Sequence, residues 1–481
     1  MPISAERLQQ WRKAGLSPSI KLPEANHFIA TDFQLSDAEA EDITVPRLLV
    51  DKPRFKLWFK NDNEFNVPKG FLSVSIRSAD SKKTLQKTAL LRIYEAMLNE
   101  QLSELSYPAA LAGLHYSLRS HMRGLTLKVS GFNEKQAGLF DALLAALKQP
   151  EFPAQRFERI KKDLLSQLAN AKKQQPYRLL MADLSKLLYK PLWSEQKMAM
   201  AIEAINIEML QEYAASFLID VDLEALIYGN YSQSTAELFA ERMAQTLLAD
   251  GDSEVDLLIP TIDVAQLGDS SLAYKVQSEY QDAALLYYLQ AADNDKQTRA
   301  AFGIAAQLFK PDFYTQLRTE KQLGYIVSSG AYPVYDVPGL FFVVQSPVAG
   351  AVSLQQEIMA FIDHKFQAIA DLPEAEFIKA QQVLVKRLTE KPTNMAEAAG
   401  RYWQDISYGY RGFDSRAQLV KALQRQDFSQ WKRLVNKQLF NSKHSLLLYS
   451  AGQFSDQQTL AVPHIDELEA FKANQSFYSF Q

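Results

Sequence analysis

Arg318 and Tyr325 stand seven residues apart in the stretch Leu317-Arg318-Thr319-Glu320-Lys321-Gln322-Leu323-Gly324-Tyr325. Gly324 is a natural helix terminator, and Tyr325-Ile326-Val327 reads as the start of a strand. A guanidinium and a phenol at such a helix-to-strand turn can hydrogen-bond the carbonyl oxygens of an extended peptide. Contacts of that kind orient a peptide bond and polarise it. Read from the residues alone, a plainer alternative stands beside this one. Arg318 and Lys321 are then a solvated last helical turn that favours the helix dipole, and Tyr325 is a half-buried core residue.

Other chemistry is sparse. The six histidines are His27, His115, His121, His364, His444 and His464, and no two lie at the i, i+4 spacing that puts two zinc-binding imidazoles on one helix face. The inverted motif, His followed by Glu and His three and four positions later, fails at His364, where Lys365, Phe366, Gln367 and Ala368 follow. His115 and His121 flank a predicted turn, either as a minor metal pair or as structural histidines at a sheet edge. No Gly-x-Ser-x-Gly elbow or phosphate-cradling loop is present, and there is no cysteine to act as nucleophile, thiolate ligand or disulfide partner. Acidic pairs such as Asp293 with Asp295 fit solvated loops. No catalytic or metal-binding residue is expected in this chain.

The elements around Arg318 occur twice. Residues from about 50 to 235 lie in step with those from about 270 to 452, at an offset drifting from 211 to 221. Each copy has a strand (Phe71–Ile76 against Leu285–Leu289), a long helix, a glycine turn and a Gly-Leu strand. The glycine turns are Ala112-Gly113-Leu114 and Leu323-Gly324-Tyr325. Each copy then opens a helix after a proline, at Pro153 and Pro373, and closes on a strand ending in Tyr228 or Tyr449. Strands and helices in runs predict an α+β fold of two homologous domains, each a largely antiparallel sheet packed with helices. The expected boundaries are an arm over 1–45 with a short helix around Trp11, domains over 46–255 and 270–481, and a linker over 256–269. A polar surface tail is expected after Gly452.

The 481 residues exceed one core, 47% apolar residues are ordinary for a soluble globular protein, and a formal net charge of −4, with Lys+Arg 52 against Asp+Glu 56, argues against a nucleic-acid binder. No apolar run approaches a membrane span, and no signal peptide is legible at the N-terminus. A soluble protein is expected, periplasmic or cytoplasmic, with the compartment unread.

Several segments resemble one family in conserved order along nearly the whole chain. These are Trp11 to Leu16, Lys21-Leu22-Pro23, Phe28 to Phe33, Lys56 to Lys60 with Val67-Pro68-Lys69, Leu111 to Leu114 and Tyr228-Gly229-Asn230. Leu317 to Tyr325, Pro338-Gly339-Leu340, Gln345-Ser346 and Arg401-Tyr402-Trp403 complete the set. The chain resembles the C-terminal half of the pitrilysin and insulin-degrading enzyme family of zinc metallopeptidases (insulinase, peptidase M16). The resemblance implies four homologous domains in two bowl-shaped halves, closed around a chamber for short peptides. It places zinc on the N-terminal half, with this chain supplying the third and fourth domains. Arg318 and Tyr325 match the family's substrate-contacting arginine and tyrosine. The implied partners are the zinc-bearing half, in the same polypeptide or as a separate subunit, and peptide substrates. The alternative is a stand-alone inactive partner or peptide-binding protein of the same family.

Overall fold

The computed structural model describes residues 3–480 apart from 16–24, 37–42, 80, 82–83, 249–256, 258, 441–443 and 458. An acidic cluster at 37–42, the segment Lys21-Leu22-Pro23 and a polar run at 250–254, within the expected domain boundaries, therefore lie outside the described residues.

Fourteen strands are formed among those residues. β1 (Arg47–Lys52), β2 (Phe55–Asn61), β3 (Lys69–Ser78), β4 (Leu114–His121), β5 (Gly124–Phe132) and β7 (Val221–Gly229) make one sheet. The short β6 (Tyr189–Lys190), β8 (Ile262–Gln266) and β14 (Ser476–Phe480) make a small one. β9 (Ser271–Lys275), β10 (Ala283–Gln290), β11 (Ile326–Ala331), β12 (Gly339–Ser346) and β13 (Ser445–Ser450) make the third. The first sheet has the order β1-β2-β7-β3-β5-β4 and the last β11-β12-β10-β13-β9. Read in opposite directions and without β1, these are one topology. Each has a single parallel pair, β2 with β7 and β13 with β9, in an otherwise antiparallel ladder. The fold is α+β, and the duplication legible in the chain is a duplication of sheet order.

Each sheet carries its own helices on one face. Leu57, Leu72, Val74, Leu127 and Leu223 belong to the first such core, and Leu285, Leu289, Leu340, Val344 and Leu447 to the second. The opposite faces are covered by exchange. The helix Pro176–Leu188, from the first repeat, lays Leu180, Leu184, Leu187 and Leu188, all fully buried, over Ala284, Leu286, Val343 and Leu448 of the second sheet. The helix Met395–Ser407, at the corresponding place in the second repeat, packs Met395, Ala398 and Ile406 onto Trp58, Leu226 and Tyr228 of the first. This explains why β10 and β13 are buried at every position: apolar cover on both faces demands near-continuous apolar strands. The exchanged helices have local start signals. Pro176 occupies a first-turn position. Asn394 Oδ1 accepts from the Glu397 amide at 2.9 Å while Glu397 accepts from the Thr393 amide at 2.8 Å, a reciprocal N-terminal cap.

Two expectations are corrected. The stretch expected as a linker, 256–269, contains β8, the central strand of the small sheet, with Val264 and Ala265 fully buried. The tail after Gly452 is not a surface segment. Leu460, Ile465, Leu468 and Phe471 are buried, and β14 pairs with β8. The short helix expected around Trp11 forms at Ala5–Lys13. Farther along the arm, Phe28 is buried, and the Thr31 and Asp32 amides donate to Glu134 Oε2 at 2.6 and 2.9 Å. Those donors, led by the Asp32 amide, and Lys135 hold the Glu134 carboxyl down at about 2.

Candidate functional site

The helix Lys296–Tyr314 leads to the site. Asp295 caps it, its Oδ1 accepting from the Thr298 amide at 2.7 Å. It does not end in an ordinary last turn. Residues Thr315–Glu320 wind as π-helix. The Lys321 amide reaches back to Gln316 O at 3.0 Å, and the Leu323 amide reaches Leu317 O at 3.0 Å. Gln322 takes the left-handed conformation at φ 50°. Gly324 then passes so close to β12 that a Cβ there would stand 2.0 Å from the Gln345 carbonyl oxygen. Leu317 and Leu323 are both buried and pin the two ends of this turn to the core. The residues between and beyond them are left to face outward.

Arg318 is half-buried in the widened turn. Its Nη1 donates to the Tyr325 carbonyl oxygen at 3.0 Å, its one hydrogen bond among the described residues. Its guanidinium carbon lies 5.0 Å from the Tyr314 ring centre and 5.9 Å from that of Tyr325, within cation–π range of both. Tyr325 is 81% exposed. The plainer reading, with Tyr325 as a half-buried core residue, is therefore wrong. The reason is the turn, which gives the core position to Leu323. Lys321 is tied to Glu357 by an ion pair. The chain itself thus fixes the plane of the Arg318 guanidinium with one N–H, and four remain for another acceptor. Beside them stands an exposed phenol able to donate or accept. The arrangement can hold and orient carbonyl groups; it contains no nucleophile and no base. Tyr314, 43% exposed, completes the cluster and was not singled out from the sequence. Its i, i+4 spacing to Arg318 was the available signal.

Among the described residues, no three His, Asp or Glu side chains come together as a metal-holding group. His115 and His121 do not flank a turn before a strand. Both lie in β4, six residues apart, which separates them by about 20 Å at the rise of an extended strand. His121 Nδ1 accepts from the Arg123 amide at 3.2 Å, and His444 Nδ1 lies 2.7 Å from Leu267 O, both structural contacts. No described helix is long and apolar enough to cross a membrane.

Residues 1–201 match the model of the middle or third domain of peptidase M16. Residues 304–403, which include Arg318 and Tyr325, match the model of the C-terminal lobe domain 4 of PQQ synthase PqqF-like proteins. The chain is 28% identical to human insulin-degrading enzyme over 434 residues, covering 88% of this chain and 42% of that one. The chain spans about half the length of the curated relatives it matches. The crystal structure of pitrilysin superposes with a TM-score of 0.88 at 21% identity, over 99% of this chain and 51% of pitrilysin. A peptidase M16 inactive domain from Pseudomonas fluorescens superposes with a TM-score of 0.63 at 17% identity, over 90% of this chain and all of that one. The paired models, the relatives and the shared fold support an M16 (insulinase)-family protein similar to the C-terminal half of pitrilysin and insulin-degrading enzyme.

Proposed function

We propose that this chain is the non-zinc-binding C-terminal half of a pitrilysin- or insulin-degrading-type zinc metalloendopeptidase. In this reading the domains 46–255 and 270–481 form part of the wall of a peptide chamber, and Arg318 and Tyr325 touch the substrate. The observation that carries it is the exposure of Tyr325 beside a guanidinium already oriented by the chain. The free N–H groups of Arg318 donate to carbonyl oxygens of an extended peptide, and the Tyr325 phenol adds a second hydrogen bond. Because Nη1 is anchored to Tyr325 O, little side-chain freedom is lost when the peptide arrives. A hydrogen bond that strengthens as charge develops on a carbonyl oxygen contributes to rate, not only to binding. Zinc is expected on the N-terminal half.

A second reading, a stand-alone inactive partner that holds peptides or assembles with an active subunit, draws on the likeness to the whole length of the M16 inactive domain. One experiment separates the two. Cleavage of an internally quenched peptide is measured for the chain alone, with its zinc quantified, and then after adding a zinc-bearing half. The proposal expects neither zinc nor cleavage alone and cleavage on reconstitution. Association without cleavage favours the inactive partner. Stoichiometric zinc and chelator-sensitive cleavage by the chain alone contradict both.

A further inference from the structure

Where the two repeats meet, beside the β4–β5 hairpin and the end of the helix Met395–Ser407, lies a cavity of about 500 Å³. Arg77, His121 and Arg123 line it from the first repeat, and Tyr335, Trp403 and Tyr408 from the second. Its charges do not balance. Asp222 is engaged by Arg77, whose Nε donates to Oδ1 at 2.7 Å. The buried Glu224 is met by Arg77 at 3.0 Å and by Arg411. Three guanidinium groups thus face two carboxylates, and the group left over is Arg123.

Arg123 is only 8% exposed. Among the described residues its side chain makes one hydrogen bond, a long one of 3.4 Å from Nη2 to Ser407 O, and its Nε has no partner. Burial, with the like charge of Arg77, pushes its pKa down, against the attraction of Asp222. His121 cannot answer it, because Nδ1 is taken by the Arg123 amide and Nε2 lies 3.2 Å from Ser75 Oγ. A buried charge without a counter-charge is costly, and proteins keep one where something else completes it. The wall beside it is flat and aromatic. Tyr335 and Tyr408 stack at 4.3 Å and 12°, and the Tyr335 hydroxyl donates to Ser407 O at 3.2 Å.

We propose that this cavity binds a small oxyanion, a carboxylate or phosphate carried on a flat ring, with Arg123 as its charge partner and the Tyr335–Tyr408 stack beneath the ring. Such a ligand touches both repeats and ties them together across their junction. The site is separate from the Arg318 turn, and its test does not depend on the peptidase reading.

The test is calorimetric titration of the whole chain with phenyl phosphate, and separately with inorganic phosphate and phenol. Saturable binding of phenyl phosphate is expected, weaker binding of inorganic phosphate and none of phenol. Arg123→Met should weaken phenyl phosphate at least tenfold. Without ligand its Tm should equal or exceed that of the parent chain, because methionine keeps the stem and removes a charge lacking a counter-charge. Should Arg123→Met not fold, a phenyl phosphate-dependent rise in Tm of the parent, absent with chloride at equal ionic strength, is the required result. No saturable binding to the parent overturns the proposal, as does unchanged affinity in Arg123→Met or absence of the Tm rise. Inorganic phosphate binding as tightly as phenyl phosphate overturns the part assigned to the ring.

Discussion

At Ala112–Leu114 the first repeat turns from helix to strand with Gly113 at φ 76° and Leu114 fully buried. At Leu323–Tyr325 the second repeat makes the corresponding turn, and the residue aligned with Leu114 is Tyr325, 81% exposed. Aligning Gly113 with Gly324 also sets Tyr107 against Arg318. Tyr107 is 71% exposed on the regular helix Ser103–Leu111, whereas Arg318 lies in π-helix and bonds back to Tyr325 O. The scaffold is otherwise common to both: the same strand order, one parallel pair each, one helix lent to the other sheet. A local change of helical winding is enough to move a buried apolar position to the surface. The extra residue per turn lets both Leu317 and Leu323 reach the core while Arg318 and Tyr325 do not.

The comparison can be broken first at the shared architecture. Leu184→Ala, in the lent helix with the larger apolar anchor, should lower unfolding free energy by about 3 kcal/mol, and Met395→Ala in its counterpart by about 2 kcal/mol, read by urea denaturation. Equal small effects below about 1 kcal/mol would mean that the exchanged helices do not bind the repeats together.

The turns themselves differ next. Gly324→Ala brings a Cβ to 2.0 Å from a backbone oxygen that a strand holds in place, and should destabilise by about 2–3 kcal/mol. Gly113→Ala meets only the Phe132 ring, at 3.2 Å, and carries the left-handed backbone penalty of about 1 kcal/mol. The reverse ranking would show that the second turn is not held against β12 as described.

Much of this was legible in the chain. The duplication, the paired turn glycines and the segment from Leu317 to Tyr325 carry periodicity and spacing, which report local geometry directly. The lent helices were not legible. Leu180, Leu184 and Leu187 form an apolar stripe that announces burial without naming the sheet it covers. The small sheet was missed because β6 has two residues, and β8 and β14 lie in stretches whose polar composition reads as linker and tail. The π-helical winding was missed because Leu317 and Leu323, six apart, fit neither the helical nor the strand period. For the same reason Tyr325 had two open readings until its exposure was seen.

The central claim, that the second turn and not the first meets the substrate, is tested most directly by kcat/KM in the assembly reconstituted with a zinc-bearing half. Arg318→Ala should lower it about 30-fold, roughly 2 kcal/mol for a charge-assisted hydrogen bond lost in the transition state. Tyr107→Ala, the aligned position in the first repeat, should leave it unchanged. An unaltered kcat/KM in Arg318→Ala, or an equal loss in both variants, would contradict the account.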